Sequence, residues 1–108
     1  MKLKLNVLER IILLGLLPKD ENYLTFKLIT QLKADLSFSD KEIKDWGITM
    51  LEDGRVTWKR TGDKQIEIGE TIETMIVEKL KTVEKEKKIN DENVSLYEKF
   101  VVDRKKEE

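Results

Sequence analysis

The sequence runs to 108 residues with 21 basic and 22 acidic side chains, a formal net charge of −1. That length fits one domain around one core, and charged residues at 40% against a usual share of about 25% must decorate solvent faces. Histidine and cysteine are both absent, which excludes disulfides, the usual zinc sites and Ser-His or Cys-His nucleophile systems.

Only oxygen ligands of the kind that suit magnesium or calcium remain. A balanced net charge also counts against nucleic-acid binding, where phosphate neutralisation supplies much of the affinity. The apolar run over residues 7–17 is interrupted by Glu9 and Arg10 and stopped by Pro18. It falls short of the roughly 20 residues a membrane span needs. Lys2 and Lys4 precede it, but the internal charged pair and the lack of a small-residue cleavage site argue against a signal peptide. These features describe a cytoplasmic protein with no membrane segment.

Asn6 caps the first helix, with Glu9 three residues on completing a capping box. Leu8, Ile11, Ile12 and Leu16 supply one face of this helix, and Val7, Leu13, Leu14 and Leu17 make most of the rest apolar. A helix that is apolar nearly all round belongs in a core or a subunit interface. A second helix over residues 21–36 carries Leu24, Leu28, Leu32 and Leu36 at steps of four, widened by Ile29. Ser39 and Glu42 form another capping box before a short helix ending at Trp46, with Gly47 just past its end.

The period then changes to two. Residues 48–51, 55–59 and 65–68 read as three short strands joined by Glu52-Asp53-Gly54 and Thr61-Gly62-Asp63 turns, an antiparallel meander. Ile72, Met75, Ile76, Leu80 and Val83 mark a helix over residues 70–86, with lysines loading its later half. Asn90 caps a last helix, where Ile89 and Val94 make a hydrophobic staple. Val94, Tyr97 and Val101 form its buried side, and Leu96 and Phe100 adjoin it. The expected fold is α+β: three N-terminal helices, a small β-meander and two C-terminal helices. One domain spans residues 1–102, followed by a charged, frayed tail over 103–108.

Three helices and a hairpin also suit a winged helix. Lys41 and Lys44 would then lie on the recognition helix, with Arg55, Lys59, Arg60 and Lys64 around Trp58 in the wing. Against this, Asp40, Glu42 and Asp45 repel phosphate, and the helix lacks an Asn, Gln or Arg to read bases. The adjacent pairs Asp20/Glu21, Glu52/Asp53 and Asp91/Glu92 have no metal-ligand spacing, and Gly62-Asp63-Lys64 and Gly69-Glu70-Thr71 belong to no phosphate-binding loop. The apolar excess favours interaction instead. Leu13 and Leu17 with Tyr97, Phe100 and Val101 are the candidate partner or dimer surface.

The stretches Leu5-Asn6-Val7-Leu8-Glu9-Arg10, Leu16-Leu17-Pro18, Leu36-Ser37-Phe38-Ser39 and Leu96-Tyr97-Glu98-Lys99-Phe100 resemble a family of small uncharacterised bacterial and phage-like proteins. That resemblance implies a phage or prophage accessory protein, a class that includes proteins binding a host factor, and it brings no catalytic residues. The expectation is a non-enzymatic protein-interaction domain without a cofactor, partnered by another protein, a second copy, or both. A winged-helix DNA-binding protein is the alternative.

Overall fold

The computed structural model describes residues 1–103, so the expected charged tail falls, from residue 104 on, outside the described residues. The fold is α+β. Strand β1 (Lys2–Leu5) precedes helices α1 (Val7–Leu16), α2 (Tyr23–Leu36) and α3 (Asp40–Trp46). Strands β2 (Thr49–Met50), β3 (Val56–Thr57) and β4 (Lys64–Glu67) follow, then helices α4 (Glu70–Lys85) and α5 (Val94–Tyr97) and a π-helical turn over Glu98–Val102. No helix among the described residues is long and apolar enough to cross a membrane.

The helix starts follow their capping residues. The Asn6 side chain accepts from Glu9 N–H at 2.8 Å, and the Glu9 carboxylate returns the bond to Asn6 N–H at 2.9 Å. Ser39 and Glu42 make the same exchange at 3.1 and 2.8 Å, and Gly47 closes α3 in the left-handed conformation at φ 62°. Pro18 stops α1, because it forces the preceding Leu17 into extended backbone. Helix α2 starts at Tyr23 after the Asn22 cap, two residues later than the expected start at residue 21, with Asn22 accepting from Thr25 N–H at 3.0 Å.

The expected meander is not formed. Strand β4 does not pair with β3 and instead runs antiparallel to β1, with Lys2 opposite Glu67 and Leu3 opposite Ile66. Strands β2 and β3 make a separate two-stranded ribbon, with Met50 opposite Val56. The reason lies in residues 58–63. The Trp46 carbonyl, at the C-terminal end of α3, accepts from both Lys59 and Arg60 N–H at 2.9 and 3.0 Å. Gly62 then passes directly beneath the Trp46 ring, where a Cβ would overlap the indole. The chain is thereby pulled away from β3 and delivered to β1.

The core gathers Leu5 from β1, Leu13 and Leu17 from the α1 region, and Ile29, Leu32 and Leu36 from α2. Ile66 and Ile68 join it, with Ile72, Ile76, Val77 and Leu80 of α4 and Leu96, Phe100 and Val101 of the last helical segment. Two expected faces are corrected. On α2, residues four apart advance about 40° round the axis at each step, so the row Leu24, Leu28, Leu32, Leu36 winds out of the core. Leu24 and Leu28 are exposed, and Ile29, Leu32 and Leu36 are the buried set. In the last segment the wider π turn rotates the phase, with Asp103 N–H bonded to Glu98 O five residues back. Leu96, Phe100 and Val101 are buried there, while Val94 and Tyr97 are only half-buried.

Gly62→Ala is expected to destabilise the fold by about 1–3 kcal/mol, the usual range for overpacking, since its Cβ would overlap the Trp46 ring. Urea denaturation of the two proteins checks this; an unchanged midpoint would show that the Trp46–Gly62 approach does not constrain the chain.

Candidate interaction surface

A single buried cation stands beside an apolar groove. Arg10 has no exposed surface, and its guanidinium lies where α2 ends and α3 begins. Its Nε donates to Leu36 O at 3.1 Å and one terminal nitrogen to Ser37 O at 2.6 Å, covering carbonyls that α2 leaves without helical partners. That nitrogen and the other terminal nitrogen meet the Glu42 carboxylate at 3.2 and 2.8 Å, a bidentate pair. Phe38 stacks on the guanidinium, 4.2 Å from ring centroid to charge centre.

Glu42 therefore serves twice, as the box residue of α3 and as the partner of Arg10. The Arg10 hydrogen bond outweighs the cost of burial and lowers the Glu42 pKa from 4.5 to about 2. Glu9 also serves twice. Its Oε1 accepts from Lys99 Nζ at 2.7 Å as well as from Asn6 N–H, and Lys99 Nζ also donates to Lys4 O at 2.7 Å. The other carboxylate oxygen of Glu9 is the one buried side-chain polar atom without a hydrogen-bond partner among the described residues.

With Phe38 held by Arg10, a groove of about 510 Å³ opens beside it. Ile11 and Leu14 of α1, Ile43 of α3, and Ile48, Met50 and Val56 in and beside the ribbon line it, with Ser37 the sole polar residue among the eight. Met50 stands 76% exposed on this surface and Ile43 41%. Sequence reading placed Ile11 and Leu14 on an apolar helix but did not join them to the ribbon, because their neighbours come from residues 24 to 45 positions away.

The surface expected from Leu13, Leu17, Tyr97, Phe100 and Val101 does not exist as a surface. Leu13, Leu17, Phe100 and Val101 are buried within the protomer and Tyr97 packs half-buried against them. The two apolar faces cover each other, since burying each such aliphatic or aromatic side chain gains about 1.5–3 kcal/mol.

The basic residues do not assemble into a wing. Lys41, Lys44, Arg55, Lys59 and Arg60 are exposed, and Trp58 and Lys64 half-buried. They divide among α3, the ribbon and the connection after it, and Lys64 Nζ is held on Asp35 O at 2.9 Å. The true hairpin tip is Glu52-Asp53-Gly54-Arg55, in which Arg55 pairs with Asp53 at 2.6 Å, so it is not basic. Among the described residues, no group of three or more acidic side chains is placed to hold a metal ion. Comparison with protein-family models, curated proteins and solved structures finds no match.

Two outcomes follow from the Arg10–Glu42 pair. Glu42→Ala leaves a buried guanidinium short of its counter-charge and is expected to cost about 3 kcal/mol, the low end for breaking a buried pair. Because the folded pKa of Glu42 lies below its ordinary value, its contribution is complete above pH 4.5 and is lost as pH falls towards about 2. Urea midpoints of the wild type and Glu42→Gln, measured from pH 6 to pH 2, should converge across that window; a constant gap would show that the carboxylate charge does not matter.

Proposed function

We propose that this chain is a non-enzymatic protein-interaction domain that pairs with a second copy of itself through the groove between α1, α3 and the β2–β3 ribbon. The observation that carries this reading is a groove with seven apolar residues of eight, beside which Met50 protrudes almost unburied. Isolated apolar residues on a surface are ordinary, whereas a contiguous apolar hollow with an apolar knob beside it marks a contact site.

A knob and a hollow on one face are self-complementary. A two-fold axis near Met50 seats each Met50 in the partner's groove, an isologous contact that closes at two copies. Methionine suits the role, since its flexible thioether adapts to the shape it enters. The ribbon supports the same geometry. No described strand pairs with the outer edges of β2 or β3. The Leu51 N–H bond to Arg55 O at 2.7 Å makes 51 and 55 an inward-bonded pair. The alternation of antiparallel ladders then turns the peptide groups of Met50 and Val56 outward, free to bond across the axis.

Multi-angle light scattering at rising concentration tests the reading. The wild type is expected to reach twice the monomer mass, while Met50→Asp and Ile43→Asp stay monomeric and melt at the wild-type temperature. A wild type that remains monomeric at millimolar concentration, or a Met50→Asp protein that still dimerises, would overturn it.

A further inference from the structure

Met50 is the most exposed large apolar side chain among the described residues, at 76%, and it differs from its neighbours in more than shape. Its thioether sulfur carries lone pairs that react with peroxides, to which the aliphatic side chains of Ile43, Ile48 and Val56 beside it are inert. The chain has no cysteine, so no thiol competes for an oxidant, and it has three methionines in all. Met1 and Met75 are half-buried and pack against the core. Met50 alone stands clear of it, and oxidation of sulfur follows exposure.

The hollow that would receive Met50 discriminates between the two oxidation states. A methionine sulfoxide is polar, and its oxygen needs a hydrogen-bond donor once it leaves water. Ser37 is the sole polar residue lining the groove, and its donors are spent. Its hydroxyl and its N–H both point to Lys33 O, at 2.8 and 3.0 Å. The Arg10 guanidinium beside the groove has no exposed surface and is held by Leu36 O, Ser37 O and Glu42. The thioether therefore fits this hollow, and the sulfoxide would enter it without a side-chain partner.

We propose that Met50 is a reversible oxidation site, and that its sulfoxide, formed by hydrogen peroxide, separates the two copies of the chain. This inference rests on the reading of the groove as a dimer contact and names the regulation of that contact. A sulfur lone pair attacks one peroxide oxygen, and the S–O bond forms as the O–O bond breaks. The sulfur is oxidised by two electrons and the peroxide reduced. The departing oxygen keeps the electron pair of the broken bond, takes the proton of the transferred oxygen and leaves as water. A thiol-dependent sulfoxide reductase reverses the change, with two thiols becoming a disulfide and the oxygen leaving as water. Pairing covers Met50, so the monomer is the species that reacts, and oxidation traps it as a monomer.

The test treats the protein with hydrogen peroxide, locates the added oxygen by peptide mass mapping and follows the dimer by light scattering. Met50 is expected to gain oxygen before Met1 or Met75. The dissociation constant of the dimer should rise about tenfold or more, and sulfoxide reductases with dithiothreitol should restore it. Met50→Gln, polar and similar in size, is expected to be monomeric without any oxidant. Met50→Leu has no sulfur at this position, and its own dissociation constant should be the same before and after peroxide. Undiminished pairing by the Met50 sulfoxide, earlier oxidation of Met1 or Met75, or peroxide-driven dissociation of Met50→Leu would overturn the proposal and leave the dimer standing. An untreated wild type that stays monomeric would instead overturn the dimer reading, and this inference with it.

Discussion

The structure depends on what happens to one buried positive charge. Arg10 sits in a helix apolar over most of its surface, where an unpaired guanidinium would be prohibitive. It is tolerated because four contacts meet it: two carbonyls at the end of α2 and both oxygens of Glu42. Those partners come from the two helices that follow, so satisfying the charge fixes the α2–α3 turn against α1. Carbonyls at a helix C-terminus carry partial negative charge, and a cation there is favoured on that ground too. Phe38, stacked over the guanidinium, is positioned by the same arrangement, and with it one wall of the apolar groove.

A second clamp closes the molecule from the other side. Lys99 reaches Glu9 and the Lys4 carbonyl from ninety or more residues along the chain, tying the last helical segment to the strand and cap that begin α1. The π turn in which Lys99 lies also decides that Leu96, Phe100 and Val101 face inward. Core and clamps together account for the apolar excess near the two ends of the described chain, which is used internally. Apart from Val102, the large apolar side chains that remain exposed lie on the ribbon, on α3 and on the first turns of α2.

Most local signals are legible in the sequence and long-range ones are not, although the last helix begins after Asn93 rather than at the expected Asn90 cap. The two capping boxes, the Pro18 stop and the Gly47 turn are legible because each involves residues within four positions. The second role of Glu42 is not, since its partner lies 32 residues away, and a box glutamate explains itself without one. The alternation Lys2-Leu3-Lys4-Leu5 does carry the signature of β1, but its partner strand begins sixty residues later, and the lysines resemble the flank of an apolar run. The groove was illegible for the same reason: its walls come from α1, the α2–α3 turn, α3 and the ribbon. A wing over residues 55–64 needs them to form one hairpin, and the bonds of Lys59 and Arg60 N–H to the Trp46 carbonyl separate β3 from β4 instead.

The central claim is that the Met50 groove meets its own copy across a two-fold axis. The chain has no cysteine, so a single nitroxide attached at Thr57→Cys, exposed on the ribbon beside Val56, reports only on that position. Pulsed dipolar spectroscopy of this protein at high concentration should give one narrow, short inter-label distance that disappears on dilution with unlabelled chain. A background decay without dipolar modulation, from a protein shown to be folded, would contradict the account.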